Sequence, residues 1–281
     1  MISSYLDESF DTSQKGIFAV GGLLARGVPI FEIDRKWEQL RKTPEIDIKY
    51  FKASECERGD KQFAKFVATP KTVTPAERAN LDAIWDKFLD IIVGEAAIIY
   101  GIGVIQDDFY EVIKDPKAKA ILGESPYWFA YQAAMIEAAF AMKKVGQGDS
   151  VAFVCDKDEE HSDIAPDVYQ EVQKKNPKAA EYMGTFTLAS DHLCEPLQAA
   201  DAAIYEIRRS LHISLGRWKH WLKSGDSLRW QFRKLADKKR VWLIQYADKR
   251  YLDEVVKENT PGQPLDLDHF MEQEFDEDIQ F

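Results

Sequence analysis

The sequence predicts an α/β fold in which a mixed sheet of five strands is flanked by helices. Two apolar segments joined by a short polar stretch open the chain, which is the pattern of a hairpin. An almost entirely apolar segment at 150–156 indicates a strand buried on both faces. Long segments of helical periodicity separate the later strands, and such an order is typical of a mixed sheet covered by helices.

The individual strands are predicted from short apolar segments that are bounded by turn residues. They cover 2–7, 16–25, 96–105, 150–156 and 184–190, with a further short strand at 240–246 and a weaker candidate at 47–51.

The helices are predicted from apolar residues that recur every three to four positions. They cover 29–42, a long segment from Pro75 onward, short turns within 107–119, and 125–145, 163–175, 195–211 and 226–238. Thr74 and Ser125 each precede a proline, which predicts an N-cap followed by proline at the first helical position.

This order predicts three parts of the chain. Residues 1–211 are expected to form the α/β domain, with a helical insertion near 28–94. Residues 212–257 are expected to form a helical extension packed on that domain, and 258–281 an exposed or loosely docked acidic arm. The basic, tryptophan-rich stretch 208–240 is interpreted as an amphipathic helical pair, with a nucleic-acid surface as the alternative.

Composition and charge restrict the class of protein. The formal net charge of −11 repels polyanions, so a nucleic-acid partner would require a local basic patch or bound cations. Cys56, Cys155 and Cys194 are widely spaced, which favours free thiols in a reducing compartment. No leader segment and no membrane-spanning apolar stretch are found, so we expect a cytoplasmic protein without a membrane partner. The oligomeric state is left open.

Three acidic residues interrupt apolar segments. Asp7 ends the first strand, Asp156 ends the strand at 150–156, and Asp201 lies within the apolar helix "LQAADAAIY". Burying a carboxylate is costly unless a partner or a metal compensates it. Acids at the ends of neighbouring strands, joined by one from a helix, could share hard cations such as Mg²⁺. The simpler interpretations are a turn residue, a solvated loop and the polar edge of a core helix.

The spacing of the neighbouring polar residues adds two expectations. Asp7 and Glu8 are adjacent in a strand, so they face opposite sides of the sheet and are not expected to bind one metal equivalently. Glu195, Gln198 and Asp201 recur every third residue and lie along one face of their helix. A surface or capping role is favoured for His192, with an accessory role at the site as the alternative.

Two motifs resemble a known family. "YLDES" followed by a hairpin and "FAVGG", and later "LQAADAAIY", resemble the domain of unknown function 3800, a family placed in the ribonuclease H-like group. The matching positions are Tyr5, Asp7, Glu8, Ser9, Gln198, Ala200 and Asp201, together with Asp156 at the central strand end and Ala53, Ser54 and Glu55 in "YFKASECERG". Phe10 stands where the family usually has glycine. Lys52 stands where histidine is frequent, which removes a possible ligand and leaves a cation that could meet a phosphate.

The resemblance implies a ribonuclease H-like fold and a nuclease-like centre that uses Mg²⁺ or Mn²⁺ to cleave RNA or DNA. Asp7 would bridge two ions, and Asp156 and Asp201 would each hold one. Glu8 or Glu55 would supply a fourth carboxylate, with Gln198 in support. The alternatives are a non-catalytic binding or regulatory protein, in which the acids would be separated or salt-bridged, and a small-molecule phosphohydrolase.

Overall fold

A computed structural model describes residues 2–10, 16–95, 98–145, 149–157, 164–214, 235 and 241–267 of the chain. Its centre is a mixed sheet of six strands in the order β5-β4-β1-β2-β3-β6. The strands are β1 (Ile2–Phe10), β2 (Ile17–Arg26), β3 (Ile98–Ile105), β4 (Val151–Asp156), β5 (Met183–Ala189) and β6 (Val241–Ala247). The α/β class and the mixed sheet are therefore confirmed.

Most of the described helices follow the predicted order with some shifted ends, but the sequence does not predict those at 53–58, 177–180 and 249–258. The described helices are α1 (Gly27–Arg41), α2 (Ala53–Arg58), α3 (Pro75–Gly94), α4 (Gln106–Val112), α5 (Pro116–Leu122), α6 (Pro126–Val145), α7 (Ile164–Lys175), α8 (Pro177–Ala180), α9 (Glu195–Ser214) and α10 (Lys249–Glu258). Short 3₁₀ turns lie at Lys61–Phe66 and Asp191–Leu193.

Strand direction decides which ends of the strands lie together. β2 is antiparallel to both β1 and β3, so the first three strands form a meander. β1 and β4 are parallel, and so are β4 and β5. The carboxyl ends of β1, β4 and β5 consequently lie at the same edge of the sheet, where Asp7 and Asp156 are located.

The sequence predicts a sheet of five strands, but the sheet has six. β6 pairs in parallel with β3 and extends the sheet at that edge. The apolar pattern at 240–246 indicates a strand, but local sequence does not encode its pairing with a strand far away in the chain. The expected helical extension at 212–257 therefore includes a strand of the sheet.

The candidate strand at 47–51 is also wrong, because this segment is irregular. Its backbone is engaged by side chains of α9 rather than by a neighbouring strand. The amide of Phe51 donates to Gln198 Oε1 at 2.8 Å, and the amide of Ala53 donates to Asp201 Oδ2 at 2.7 Å.

The sheet separates two hydrophobic clusters. One cluster contains residues of α6 and α7 packed on the face that carries Leu6, with Phe129 and Phe153 among its large side chains. The other contains residues of α1, α3 and α9, with Trp37 and Phe88 at its centre. Residues that alternate along β1 therefore enter different clusters, and Asp7, on the same side as Tyr5, faces α9.

Two helix starts agree with the predicted capping. The side chain of Thr74 accepts from the amide of Glu77, and the Glu77 side chain returns a bond to the Thr74 amide, which completes a capping box. The Ser125 hydroxyl accepts from the Trp128 amide at the start of α6.

The acidic arm differs from expectation over its first part. Leu265 and Leu267 are buried, and the side-chain amide of Asn176 donates to the carbonyl of Leu265 at 3.0 Å. The first part of the arm is thus anchored by Asn259, Leu265 and Leu267, while 260–263 and Asp266 are exposed. Residues 268–281, and apart from Leu235 the predicted helix at 226–238, lie outside the described residues. None of the helices in the described ranges has the length and apolar character needed to cross a membrane.

Candidate carboxylate centre

Two of the three predicted acids, Asp7 and Asp201, contact Lys52, and the third, Asp156, is joined to them through Asp191. Lys52 Nζ lies 3.7 Å from Asp7 Oδ2 and 3.4 Å from Asp201 Oδ1. Asp191 joins them, with its Oδ2 at 3.1 Å from Lys52 Nζ, and its backbone amide donates to Asp156 Oδ1 at 2.9 Å. We call Asp7, Asp156, Asp191, Asp201 and Lys52 the carboxylate centre.

Each member of the centre is placed by an identifiable part of the fold. The β1–β4 register ends with Leu6 beside Cys155, so Asp7 and Asp156 follow on adjacent parallel strands. Asp191 lies in the 3₁₀ turn just after β5. Asp201 lies in the second turn of α9, which packs against β1 and β2.

Gln198 holds this arrangement together without entering it. Its Oε1 accepts from Trp37 Nε1 at 3.1 Å and from the Phe51 amide, and its Nε2 donates to the carbonyl of Asp191 at 2.7 Å. The side chain is fully buried, and its amide oxygen and nitrogen are both engaged. Gln198 therefore positions the segment that carries Lys52 and the turn that carries Asp191.

Glu8 points away from the centre. Its Oε2 accepts a hydrogen bond of 2.6 Å from Tyr131 Oη, in the cluster on the opposite face of the sheet. Its backbone reaches the centre, because the Glu8 amide donates to Asp7 Oδ1 at 2.8 Å. The alternation along β1 predicts this separation. Of the two acids expected to supply a fourth carboxylate, Glu8 has its carboxylate bonded to Tyr131, whereas Asp191, which is not among the predicted site residues, contacts Lys52.

Glu55 lies in α2, beside the centre, and is engaged by other partners. Its Oε1 accepts from Tyr50 Oη at 3.1 Å and lies 3.2 Å from Lys61 Nζ. Its Oε2 is buried and has no hydrogen-bond partner. Glu55 thus belongs to the rim next to the centre, where it fixes Tyr50.

Burial dominates the electrostatics of the centre. It raises the pKa of Asp7 well above its ordinary value, with Lys52 opposing and the nearby acids adding to the rise. Burial likewise raises the pKa of Asp201 and of Asp156. The pKa of Lys52 is lowered by burial but raised more by Asp201, Asp7 and Asp191, and the result lies well above its ordinary value. With every member ionised, four negative charges face one positive charge.

The donor set fits a hard divalent cation in its chemistry. Carboxylate oxygens are the ligands that Mg²⁺ and Mn²⁺ prefer, and Asp7 Oδ2 is buried without a hydrogen-bond partner. In the positions that the structure gives them, however, the His, Cys, Asp and Glu residues of the described ranges form no group of three or more that could hold a metal ion. The ammonium of Lys52 lies among the oxygens of the centre, so a divalent cation requires this group to move.

Asp191 is the functional candidate that the sequence interpretation missed. It stands in a polar stretch between a strand and a helix start, where an acid is unremarkable on its own. The available signal was its position directly after β5, because the carboxyl ends of parallel neighbours meet at one edge of a sheet.

Comparisons of the chain with protein-family models, with curated proteins and with solved structures give no match. The resemblance to the domain of unknown function 3800 stays a prediction, so arguments about function rest on the geometry of the carboxylate centre.

Proposed function

We propose that the protein is a divalent-metal-dependent phosphodiesterase of the nuclease type, with a ribonuclease H-like fold, that acts on RNA or DNA with Mg²⁺ or Mn²⁺. The observation that carries the proposal is the surplus of negative charge in the carboxylate centre. Four acids lie around one ammonium, which contacts three of them, and Asp7 and Asp201 are almost completely buried. Such a surplus is costly unless protons or further cations compensate it.

The strand order supports the fold part of this proposal. An early meander of β1, β2 and β3 continues into the parallel strands β4 and β5, which are entered through helices. The acids lie at the carboxyl ends of the parallel strands, where ligand sites of open α/β sheets are usual. All three cysteines are free thiols, and this supports a cytoplasmic location as part of the same proposal.

Each side chain has a role in this proposal. Asp7, Asp156, Asp191 and Asp201 would hold the ions, which when bound supply Lewis acidity for hydrolysis at phosphorus. Lys52 has a flexible four-carbon stem and 28% exposure of its side chain. Displaced from the carboxylates, its ammonium would contact a phosphate oxygen of the substrate and stabilise the charge that develops there. Gln198 would keep the Lys52 segment within reach of the acids.

One observation favours a second function, that of a non-catalytic binding or regulatory protein. The ammonium of Lys52 already contacts three of the four acids. If these ion pairs are permanent, the centre is a structural network, and protons compensate the remaining charge.

Calorimetric titration with Mn²⁺ distinguishes the two functions. The wild type is expected to bind Mn²⁺, Asp201→Ala to lose binding, and the exposed Asp167→Asn of α7 to bind as the wild type does. Lys52→Met keeps the length of the side chain but removes the competing charge, so it should bind Mn²⁺ about ten-fold more tightly or better. If neither the wild type nor Lys52→Met binds Mn²⁺, the metal-dependent function is wrong and the structural network stands.

Cleavage of labelled single-stranded RNA and DNA tests catalysis itself. Asp7→Asn removes a charge from the middle of the centre and is expected to reduce Mn²⁺-dependent cleavage by about a hundred-fold or more. Unchanged cleavage by Asp7→Asn would show that any hydrolysis arises elsewhere in the chain.

A further inference from the structure

An aromatic stack lies at the rim of the carboxylate centre. The rings of Tyr50 and His192 are nearly parallel, with centroids 4.0 Å apart and an angle of 11° between their planes. Tyr50 is held by its hydrogen bond to Glu55, which is itself buried. The His192 side chain is 57% exposed, which leaves imidazole surface accessible to another planar ring. We call this pair the Tyr50–His192 stack.

The stack is connected to the centre on one side and to an exposed cation on the other. His192 Nε2 lies 3.6 Å from Asp191 Oδ1, and the other carboxylate oxygen of Asp191 contacts Lys52. On the outer side, Lys61 Nζ contacts the same Glu55 oxygen that holds Tyr50. The stack therefore lies between Lys52 in the centre and Lys61, whose side chain is 67% exposed.

The surrounding segment presents positive charge on an acidic protein. Within 49–65 the exposed charged residues are all cations, namely Lys49, Arg58, Lys61 and Lys65. Lys65 pairs with the exposed Asp47 just outside this segment, and Arg58 pairs with Asp60. The acids of the same segment, Glu55, Glu57 and Asp60, are buried. A chain of net charge −11 thus has beside its carboxylate centre a surface segment whose exposed charges suit a polyanion.

We propose that the Tyr50–His192 stack is a platform for one unpaired base of single-stranded nucleic acid, and that Lys61 binds a neighbouring phosphate. This inference rests on the proposed nuclease function, since it names the form of the substrate. Every base has a flat face that can stack on an aromatic ring, and the flanking cations follow the backbone. The bases of a duplex are stacked on each other, so a duplex cannot offer a base to the platform without unpairing.

The stacking interaction is tested by fluorescence anisotropy with a labelled oligonucleotide of about twelve nucleotides, a length within the range of known single-strand sites. EDTA is present to prevent metal-dependent cleavage. The wild type is expected to bind the single strand more tightly than the matching duplex. His192→Ala should weaken binding by about five-fold or more, whereas His192→Phe, which keeps a stacking ring, should stay within about two-fold of the wild type. Circular dichroism checks that both variants are folded.

Lys61 is tested through the salt dependence of the same binding. Lys61→Gln should reduce the slope of log affinity against log salt by about one, because one phosphate contact is lost. Lys117→Gln, an exposed lysine on α5, is the matched control and should leave the slope unchanged. Equal slopes for the two variants would show that Lys61 contacts no phosphate.

Several results would overturn the platform. The platform is wrong if the wild type does not bind the single strand or binds strand and duplex with equal affinity. It is also wrong if His192→Ala binds as tightly as the wild type, or if His192→Phe loses as much affinity as His192→Ala. The proposed function fails in a different way. If binding depends on stacking but no cleavage occurs in Mn²⁺, the nuclease function is contradicted and the platform stands. If the protein cleaves nucleic acid but His192→Ala binds it as the wild type does, the platform is contradicted and the nuclease function stands.

Discussion

Replacement of Glu137 by glutamine is expected to remove a large part of the pH dependence of stability between about pH 5 and 8. Glu137 lies in α6, within the cluster on the face of the sheet opposite the carboxylate centre. It is 1% exposed, and neither of its carboxylate oxygens has a hydrogen-bond partner. Burial raises the pKa of Glu137 from its ordinary value of 4.5 to about 8.

The sign and size of the effect follow from proton linkage. The folded protein keeps the Glu137 proton at pH values where the unfolded chain has released it, so the free energy of unfolding falls as pH rises from 4.5 to about 8. The fall is about 1.4 kcal/mol for each pH unit, or roughly 3 kcal/mol from pH 5 to pH 7.5. Glutamine has nearly the same shape and does not titrate. Between pH 5 and pH 7.5 the variant should therefore gain roughly 3 kcal/mol in stability relative to the wild type.

Urea unfolding followed by circular dichroism at several pH values measures this difference. The acids of the carboxylate centre also titrate, but they are present in both proteins and cancel when the two are compared. Glu181→Gln, at an exposed position, is the matched control and should leave the pH profile unchanged. Parallel profiles for Glu137→Gln and the wild type would refute the reasoning, because Glu137 would then ionise in the folded protein as it does in water.

Three further substitutions test how the fold supports the carboxylate centre. Gln198→Leu should cost about 3 kcal/mol or more in urea unfolding, because it leaves the Phe51 amide, Trp37 Nε1 and the Asp191 carbonyl without their partner; a loss below about 1 kcal/mol would mean that the segment is held by other contacts. Tyr131→Phe should cost about 1–3 kcal/mol, since buried Glu8 loses a hydrogen bond, and should leave the Mn²⁺ affinity unchanged in calorimetry. Gly21→Ala should prevent normal folding, as judged by circular dichroism and gel filtration, because its Cβ would lie 2.2 Å from the Tyr100 carbonyl oxygen; a native-like alanine variant would show that β2 and β3 can separate at this point.

The elements that the sequence predicts well are those fixed by local pattern. β4 is an unbroken apolar segment, and α3 begins with a cap and a proline, so the ends of both are visible in a short window. Alternation along β1 also predicts that Asp7 and Glu8 separate. It does not predict which of the two faces α9, because both faces of this strand are covered by apolar clusters.

The parts of the site that the sequence does not predict depend on contacts between distant residues. Lys52 reaches the acids because the amides on either side of it, those of Phe51 and Ala53, bond to side chains of α9. These bonds span 147 and 148 positions of the chain, and no periodicity in the local sequence records them. The same is true of Asp191 and of the pairing between β6 and β3. Such positions are decided by tertiary packing rather than by local propensity.

The position of each strand in the sheet gives the part of the carboxylate centre around Asp7 and the part around Asp191 different local stability. β1 is hydrogen-bonded to a neighbour on both sides, whereas β5 is an edge strand and Asp191 lies in the short turn beyond it. The amides around Asp7 should therefore exchange with deuterium only when the whole domain unfolds, while those around Asp191 and His192 should exchange through local fluctuations. A ligand that binds in the centre would contact a rigid part of the structure at Asp7 and Asp201 and a more mobile part at Asp191. Protection gained on ligand binding should accordingly be concentrated after β5.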